Sequence, residues 1–217
     1  MKIPSTIKAV IFDVDGLLVD SEPYWHQTTE AFFKKHKKPF HQSIHSHIRG
    51  RGLHDIIEYF KKEHGFVGDT EALVAERKEM LYKLLFKDVV LMEGAEELIK
   101  TLYKKGMPLA IATSAHTKDK LELMLNKFGI LKMFKFFVSG EDVQKAKPAP
   151  DIYLKTAELL KISPEYCLVF EDAPNGVIAG KAAGMTVYGI NKEEDLYSKL
   201  KEAGADKVFR SLKEVTV

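Results

Sequence analysis

Asp13 and Asp15 stand one residue apart, with Gly16 behind them, at the end of the apolar run Ala9-Val10-Ile11-Phe12. A buried carboxylate beside a like charge is unfavourable unless a cation or a proton offsets it, so the pair points to chemistry rather than packing. Alone, Asp-x-Asp is a weak signal, because surface turns carry it too. Three further apolar runs end in residues that complement it. Leu109-Ala110-Ile111-Ala112 runs into the hydroxyls of Thr113 and Ser114, and Phe136–Ser139 leads through Gly140 to Lys147-Pro148. Leu168-Val169-Phe170 ends in Glu171 and Asp172. Together these residues suit a phosphoryl group held against a divalent cation. Carboxylates bind Mg²⁺ through oxygen, while hydroxyls, backbone N–H groups and an ammonium hold phosphoryl oxygens. Each element also has a plainer reading: Thr113 and Ser114 as a helix N-cap, Lys147 as a solvated loop lysine. Their order at successive strand ends favours the chemical one, since open α/β sheets place their sites there.

A parallel sheet is needed to bring those ends together, and the chain has the pattern for one. Past residue 92, apolar strands alternate with helices: helix 94–105, strand 108–113, helix 118–128, strand 136–139, helix 151–160 and strand 167–170. Helix 175–183, strand 186–190, helix 194–203 and strand 207–209 follow. Repeated βα units predict a doubly wound α/β sheet of Rossmann-like form. Residues 21–90 show only helical periodicity. Trp25, Thr29, Phe32 and Phe33 share one face of a helix over 22–35, and helices are expected over 52–63 and over 69–86 with Asp69 as N-cap. The expected organisation is a core of residues 1–20 and 91–217 and a helical cap, 21–90, inserted after the first strand, with hinges near Asp20-Ser21 and Val89–Met92.

Composition narrows the field. In 217 residues, 45% are hydrophobic and 29% charged, an ordinary soluble balance, and the net charge of +2 is too small to argue for nucleic acid. No apolar run approaches the ~20 residues that span a membrane, and the first strand begins too early to leave room for a signal peptide. With one cysteine, Cys167 in an apolar run, there is no disulfide framework; a cytoplasmic chain with a buried thiol is expected.

The four motifs, Asp13-Val14-Asp15-Gly16, Thr113-Ser114, Lys147-Pro148 and Glu171-Asp172-Ala173-Pro174-Asn175-Gly176, resemble the haloacid dehalogenase superfamily. The likeness is to its helical-cap phosphatases and the related β-phosphoglucomutases, and it spans essentially the whole chain, though the cap matches only in helical character. It implies that Asp13 attacks phosphorus to give an aspartyl-phosphate, which water then hydrolyses. Asp15 would protonate the leaving alkoxide and later deprotonate the water. An aspartate, ordinarily titrating at ~3.9, must be raised to carry that proton. The resemblance further implies Mg²⁺ on the Asp13 carboxylate, the Asp15 carbonyl and Asp172, with Glu171 direct or through water. Thr113, with backbone near Ser114, would bind the phosphoryl group, Lys147 would bridge phosphate and nucleophile, and the Lys147-Pro148 bond is a candidate for cis geometry. An acid at Asp15 argues against dehalogenation, which has no alkoxide to protonate.

The substrate expected is a small phosphorylated metabolite, a sugar phosphate or nucleoside-type monophosphate, handled by a monomer. A sugar-phosphate mutase is the alternative. The mutases resembled carry a histidine on the first cap helix, and the matching position here is Trp25; His26, its neighbour, lies ~100° round the helix and is no ready substitute. Trp25, Arg49, Arg51 and His116 are candidate substrate contacts. Trp25 reads equally as cap core, the arginines as solvated residues on a glycine-flanked segment, and His116 as the start of a helix. His41, His45 and His47 read as a solvated loop rather than a metal site.

Overall fold

The computed structural model describes residues 2–48 and 51–217 of the chain. They pack as two compact units, Met1–Asp20 with Val90–Val217, and Ser21–Val89. In chain order, β1 (Ala9–Phe12) precedes the smaller unit, which holds α1 (Glu22–Lys35), α2 (Ser43–Ile48), α3 (Leu53–His64) and α4 (Thr70–Asp88). The larger unit continues with α5 (Ala95–Lys104), β2 (Leu109–Thr113), α6 (Lys118–Lys127), β3 (Phe136–Ser139) and α7 (Asp151–Leu160). It ends with β4 (Cys167–Glu171), α8 (Pro174–Ala182), β5 (Thr186–Ile190), α9 (Glu194–Glu202) and β6 (Lys207–Phe209).

All six strands pair in parallel, in the order β3-β2-β1-β4-β5-β6. Every residue of β1, β2 and β4 is buried, which is why these strands read as unbroken apolar runs rather than alternating ones. Phe12 lies opposite Ile111 on one side and Phe170 on the other, and its ring stacks on Phe170 at 5.2 Å. Three helices seal one face of the sheet: Ile152, Tyr153 and Ala157 of α7, Val177 and Ala179 of α8 and Leu200 of α9 join Ala9, Ile11, Val169 and Val187 in one core. Each large apolar side chain so buried contributes ~1.5–3 kcal/mol. From β1 the strand order runs outward both ways, so the crevice at its carboxyl end, between β1 and its neighbours, is where this topology opens a site. Cys167 is buried in that core with its thiol pushed up to about 11 by burial, so it is an inert packing residue.

The smaller unit has its own core. Phe32 and Phe33 of α1 meet Phe60 of α3, Phe66 and Leu73 of α4; Phe32 stacks on Phe66 at 5.2 Å and Phe33 meets Phe60 edge-on at 4.8 Å. Gly65, in the left-handed region at φ 64°, ends α3. Asp69 caps α4, its side chain accepting from Ala72 N at 3.0 Å. The loop expected at two of the histidines is not what forms. His45 and His47 lie on α2, a helix rather than a solvated loop, because Ile44 and Ile48, one turn apart, are drawn into the phenylalanine core. Burial, followed by the nearby His26, pulls the His45 imidazole below its usual range.

Candidate active site

Four strand ends supply the site, and backbone pairing sets their height. Asp13 N donates to Phe170 O at 3.1 Å, extending the β1–β4 ladder by one residue, so Asp13 stands beside Glu171. Past it the chain turns sharply: Val14 O accepts from the N–H groups of Leu17, Leu18 and Val19, and Gly16 N donates to Val19 O. Gly16 has φ 73°, and a Cβ there would meet Asp172 Oδ2 at 2.2 Å. Only glycine satisfies both the left-handed turn and that approach.

Lys147 reaches in from the loop after β3, and its peptide bond to Pro148 is cis. Its Nζ is 2.6 Å from Asp13 Oδ1, 2.6 Å from Glu171 Oε1 and 3.2 Å from Ala112 O. It is therefore not a solvated loop lysine. Burial lowers its affinity for the proton, but Asp13 and Glu171 together override that and hold the ammonium well above its ordinary range. Glu171 is the most enclosed of the acids, at 1% exposure. Besides Lys147 it accepts from Tyr153 Oη at 2.6 Å and from the backbone N–H groups of Asp172 and Ala173 at 3.1 and 3.3 Å. Gly176, in the first turn of α8, presses on it so closely that a Cβ would fall 1.7 Å from Glu171 Oε1.

Asp13, Glu171 and Asp172 each offer an oxygen within 4.8 Å of the other two. One ammonium stands against three carboxylates, and burial together with the excess negative charge raises the proton affinity of Asp13 and Asp172. Burial, opposed by Lys147 and reinforced by Glu171 and Asp15, raises Asp13 to about 7. Burial, then Glu171, Asp13 and Asp15, raises Asp172 well above the carboxylate range. An all-oxygen donor set with uncompensated buried negative charge fits a hard divalent cation such as Mg²⁺. Since Glu171 already holds four donors, Asp13 and Asp172 are the more available ligands.

Thr113, ending β2 opposite Ser139, is 1% exposed, and its Oγ1 accepts from Ala115 N at 3.3 Å. The helix that follows starts only at Lys118, with Thr117 at its N-cap position, so neither Thr113 nor Ser114 caps it. Ser114 is exposed. His116 is buried, and its Nε2 stands 3.0 Å from Asp15 Oδ2. Tyr153 had no chemical signal in the sequence: a tyrosine on the buried face of a helix reads as core, and its hydroxyl's partner is set by the packing of α7 under the sheet. Asn191, whose Nδ2 donates to Asp172 O at 3.3 Å, was equally silent.

Of the cap candidates, Trp25 lies on α1 with the Arg77 guanidinium 5.1 Å from its ring, and Arg51 lies 5.4 Å from the Tyr59 ring. Arg49 lies outside the described residues.

Known proteins resemble this chain along most of its length. The family model for haloacid dehalogenase-like hydrolases matches residues 10–190. The (DL)-glycerol-3-phosphatase 2 of Arabidopsis thaliana is 37% identical over 189 residues, covering 84% of this chain and 78% of the relative. A phosphorylated carbohydrates phosphatase of Thermotoga maritima is 32% identical over 220 residues, 96% of this chain and 100% of the relative. Among solved structures, a family IA, variant 3 hydrolase of the same superfamily from Entamoeba histolytica superimposes with a TM-score of 0.85 at 27% identity, over 97% of this chain and 96% of the other. No helix of the described residues is long and apolar enough to cross a membrane.

Proposed function

The chain belongs to the haloacid dehalogenase-like hydrolases, and from that membership we propose that it is a Mg²⁺-dependent phosphatase of small phosphorylated sugars or polyols, working through an aspartyl-phosphate on Asp13. The observation that carries the reading is the Lys147 ammonium 2.6 Å from both Asp13 and Glu171, beside Asp172. A carboxylate attacking a phosphate dianion needs the repulsion between them removed, and a fixed cation at the nucleophile supplies that. Asp13 and Asp172 would hold Mg²⁺, with the Asp15 carbonyl and, through water, Glu171. When bound, the ion neutralises charge on the phosphoryl oxygens.

An Asp13 carboxylate oxygen forms a bond to phosphorus while the ester P–O bond breaks, and Asp15 gives its proton to the departing alkoxide. Water then attacks phosphorus, Asp15 takes its proton, and the Asp13–phosphorus bond breaks; the sum is ester plus water to alcohol plus phosphate. Thr113 Oγ1 and the backbone by Ser114 orient the phosphoryl oxygens. Lys147 keeps Asp13 aimed, and Tyr153 and Gly176 hold Glu171 against Lys147.

The glycerol phosphate and carbohydrate phosphate activities in the relatives' names support the substrate class. Trp25, where the resembled mutases carry histidine, favours transfer to water over transfer to a sugar. Phosphate release from a panel of sugar, polyol and nucleoside monophosphates, with Mg²⁺ and with EDTA, is the test. Metal-dependent release from polyol or sugar phosphates is expected. Absence of release from every member would overturn the reading, as would glucose 6-phosphate accumulating from β-glucose 1-phosphate without free phosphate.

A further inference from the structure

His116 has no part in the mechanism above, yet it is buried against the residue that handles the proton. Its side chain is 1% exposed, while that of Asp15 is 20% exposed. Nε2 and Oδ2 are both sealed from solvent and stand 3.0 Å apart, at ion-pair distance. An imidazole is rarely enclosed so completely unless a polar neighbour meets it. Its backbone belongs to the segment that leaves β2 at Thr113 and is tied back by the Ala115 N–H on Thr113 Oγ1. The same short stretch therefore carries the phosphoryl-facing hydroxyl and the group against the acid.

We infer that His116 is a positioning residue for Asp15, its imidazole holding one carboxyl oxygen so that the acid keeps a fixed plane toward the leaving oxygen. The inference rests on the acid–base role proposed for Asp15. General acid–base transfer depends on reach and alignment, and a carboxyl free to rotate loses both. Asp15 pairs through its backbone with Val19 in an isolated bridge, which fixes its Cα but leaves its side-chain torsions to side-chain neighbours.

A positioning role for an acid has a signature that packing does not share. An alkoxide must be protonated as it leaves, whereas 2,4-dinitrophenolate leaves as a stable anion. We would measure kcat/KM, which reports the step up to ester cleavage, for the sugar or polyol phosphate turned over fastest and for 2,4-dinitrophenyl phosphate. His116→Ala should lose about tenfold or more on the alkyl ester relative to its loss on the aryl ester, a part of the ~10²–10⁴-fold that general acid catalysis supplies. His116→Gln, which returns an N–H near the position of Nε2, should recover most of the alkyl rate. Equal losses on both esters would show a packing role and overturn the inference, with the aryl rate and thermal midpoint reporting the fold. Asp15→Asn is run alongside. If it shows the alkyl-selective loss and His116→Ala does not, the inference falls and the mechanism stands; if Asp15→Asn shows no selectivity, the acid role falls and the inference with it.

Discussion

Asp13→Asn should abolish turnover and, in metal-free protein, stabilise the fold. Burial, partly offset by Lys147 and reinforced by Glu171 and Asp15, lifts the Asp13 carboxyl from 3.8 to about 7. A carboxyl raised on folding contributes its stability below the unfolded value of ~3.9 and loses it as pH rises through its folded value. The window for Asp13 is thus about pH 4 to 7. At about 1.4 kcal/mol per pH decade, its ionisation costs about 4 kcal/mol by pH 8. Asp13 is only 8% exposed, so solvent screening trims that little. Asparagine keeps the shape and cannot ionise, so the variant should gain most of this at pH 8 and almost none at pH 4.5. With a urea slope of ~3 kcal/mol per molar, the midpoint followed by circular dichroism in EDTA should rise by about 1 M at pH 8. Saturating Mg²⁺ should shrink the gain, since it supplies the missing positive charge to the wild type. A gain absent at pH 8, or equal at both pH values, would refute the argument that the site is built around uncompensated charge.

Gly176→Ala puts a methyl 1.7 Å from Glu171 Oε1, so Glu171 must leave Lys147 and Tyr153; overpacking of this kind costs about 1–3 kcal/mol, read by thermal melting, with phosphate release falling sharply. Asp172→Asn should weaken Mg²⁺ binding at least about tenfold by calorimetry, in keeping with loss of one charged ligand from a three-carboxylate set. Arg77 is 1% exposed, donates to Thr29 Oγ1 at 3.1 Å and has no carboxylate partner among the described residues; burial pulls it down to about 10. Replacing a buried charge by an apolar chain is often neutral or stabilising, so Arg77→Met should hold or raise the urea midpoint; a loss above about 2 kcal/mol would assign the guanidinium a structural bond of its own.

How far these residues were legible depended on whether the signal was local. Unbroken apolar runs ending in Asp13, Thr113 and Glu171 announced buried parallel strands, because such strands are covered on both faces. Asp69 announced the start of α4 for an equally local reason. Ser43–Ile48 did not announce a helix, since six residues carry fewer than two turns of periodicity and its stability comes from Ile44 and Ile48 joining the distant phenylalanine core. Lys147 was ambiguous until packing brought it onto Asp13 across 134 residues of chain. Tyr153 and His116 were opaque in their roles for the same reason: their polar atoms meet partners fixed by tertiary packing, and nothing in their neighbours along the chain foretells an oxygen at 2.6 or 3.0 Å.

The central claim is that the Asp13 carboxylate becomes covalently bound to phosphorus. Acid quenching within the first turnover of a ³²P-labelled sugar or polyol phosphate, with Mg²⁺ present, tests it directly. Label on the peptide containing Asp13, released by hydroxylamine and absent from Asp13→Asn, is the expected result. Free phosphate appearing at full rate with no protein-bound label, and turnover surviving in Asp13→Asn, would contradict it.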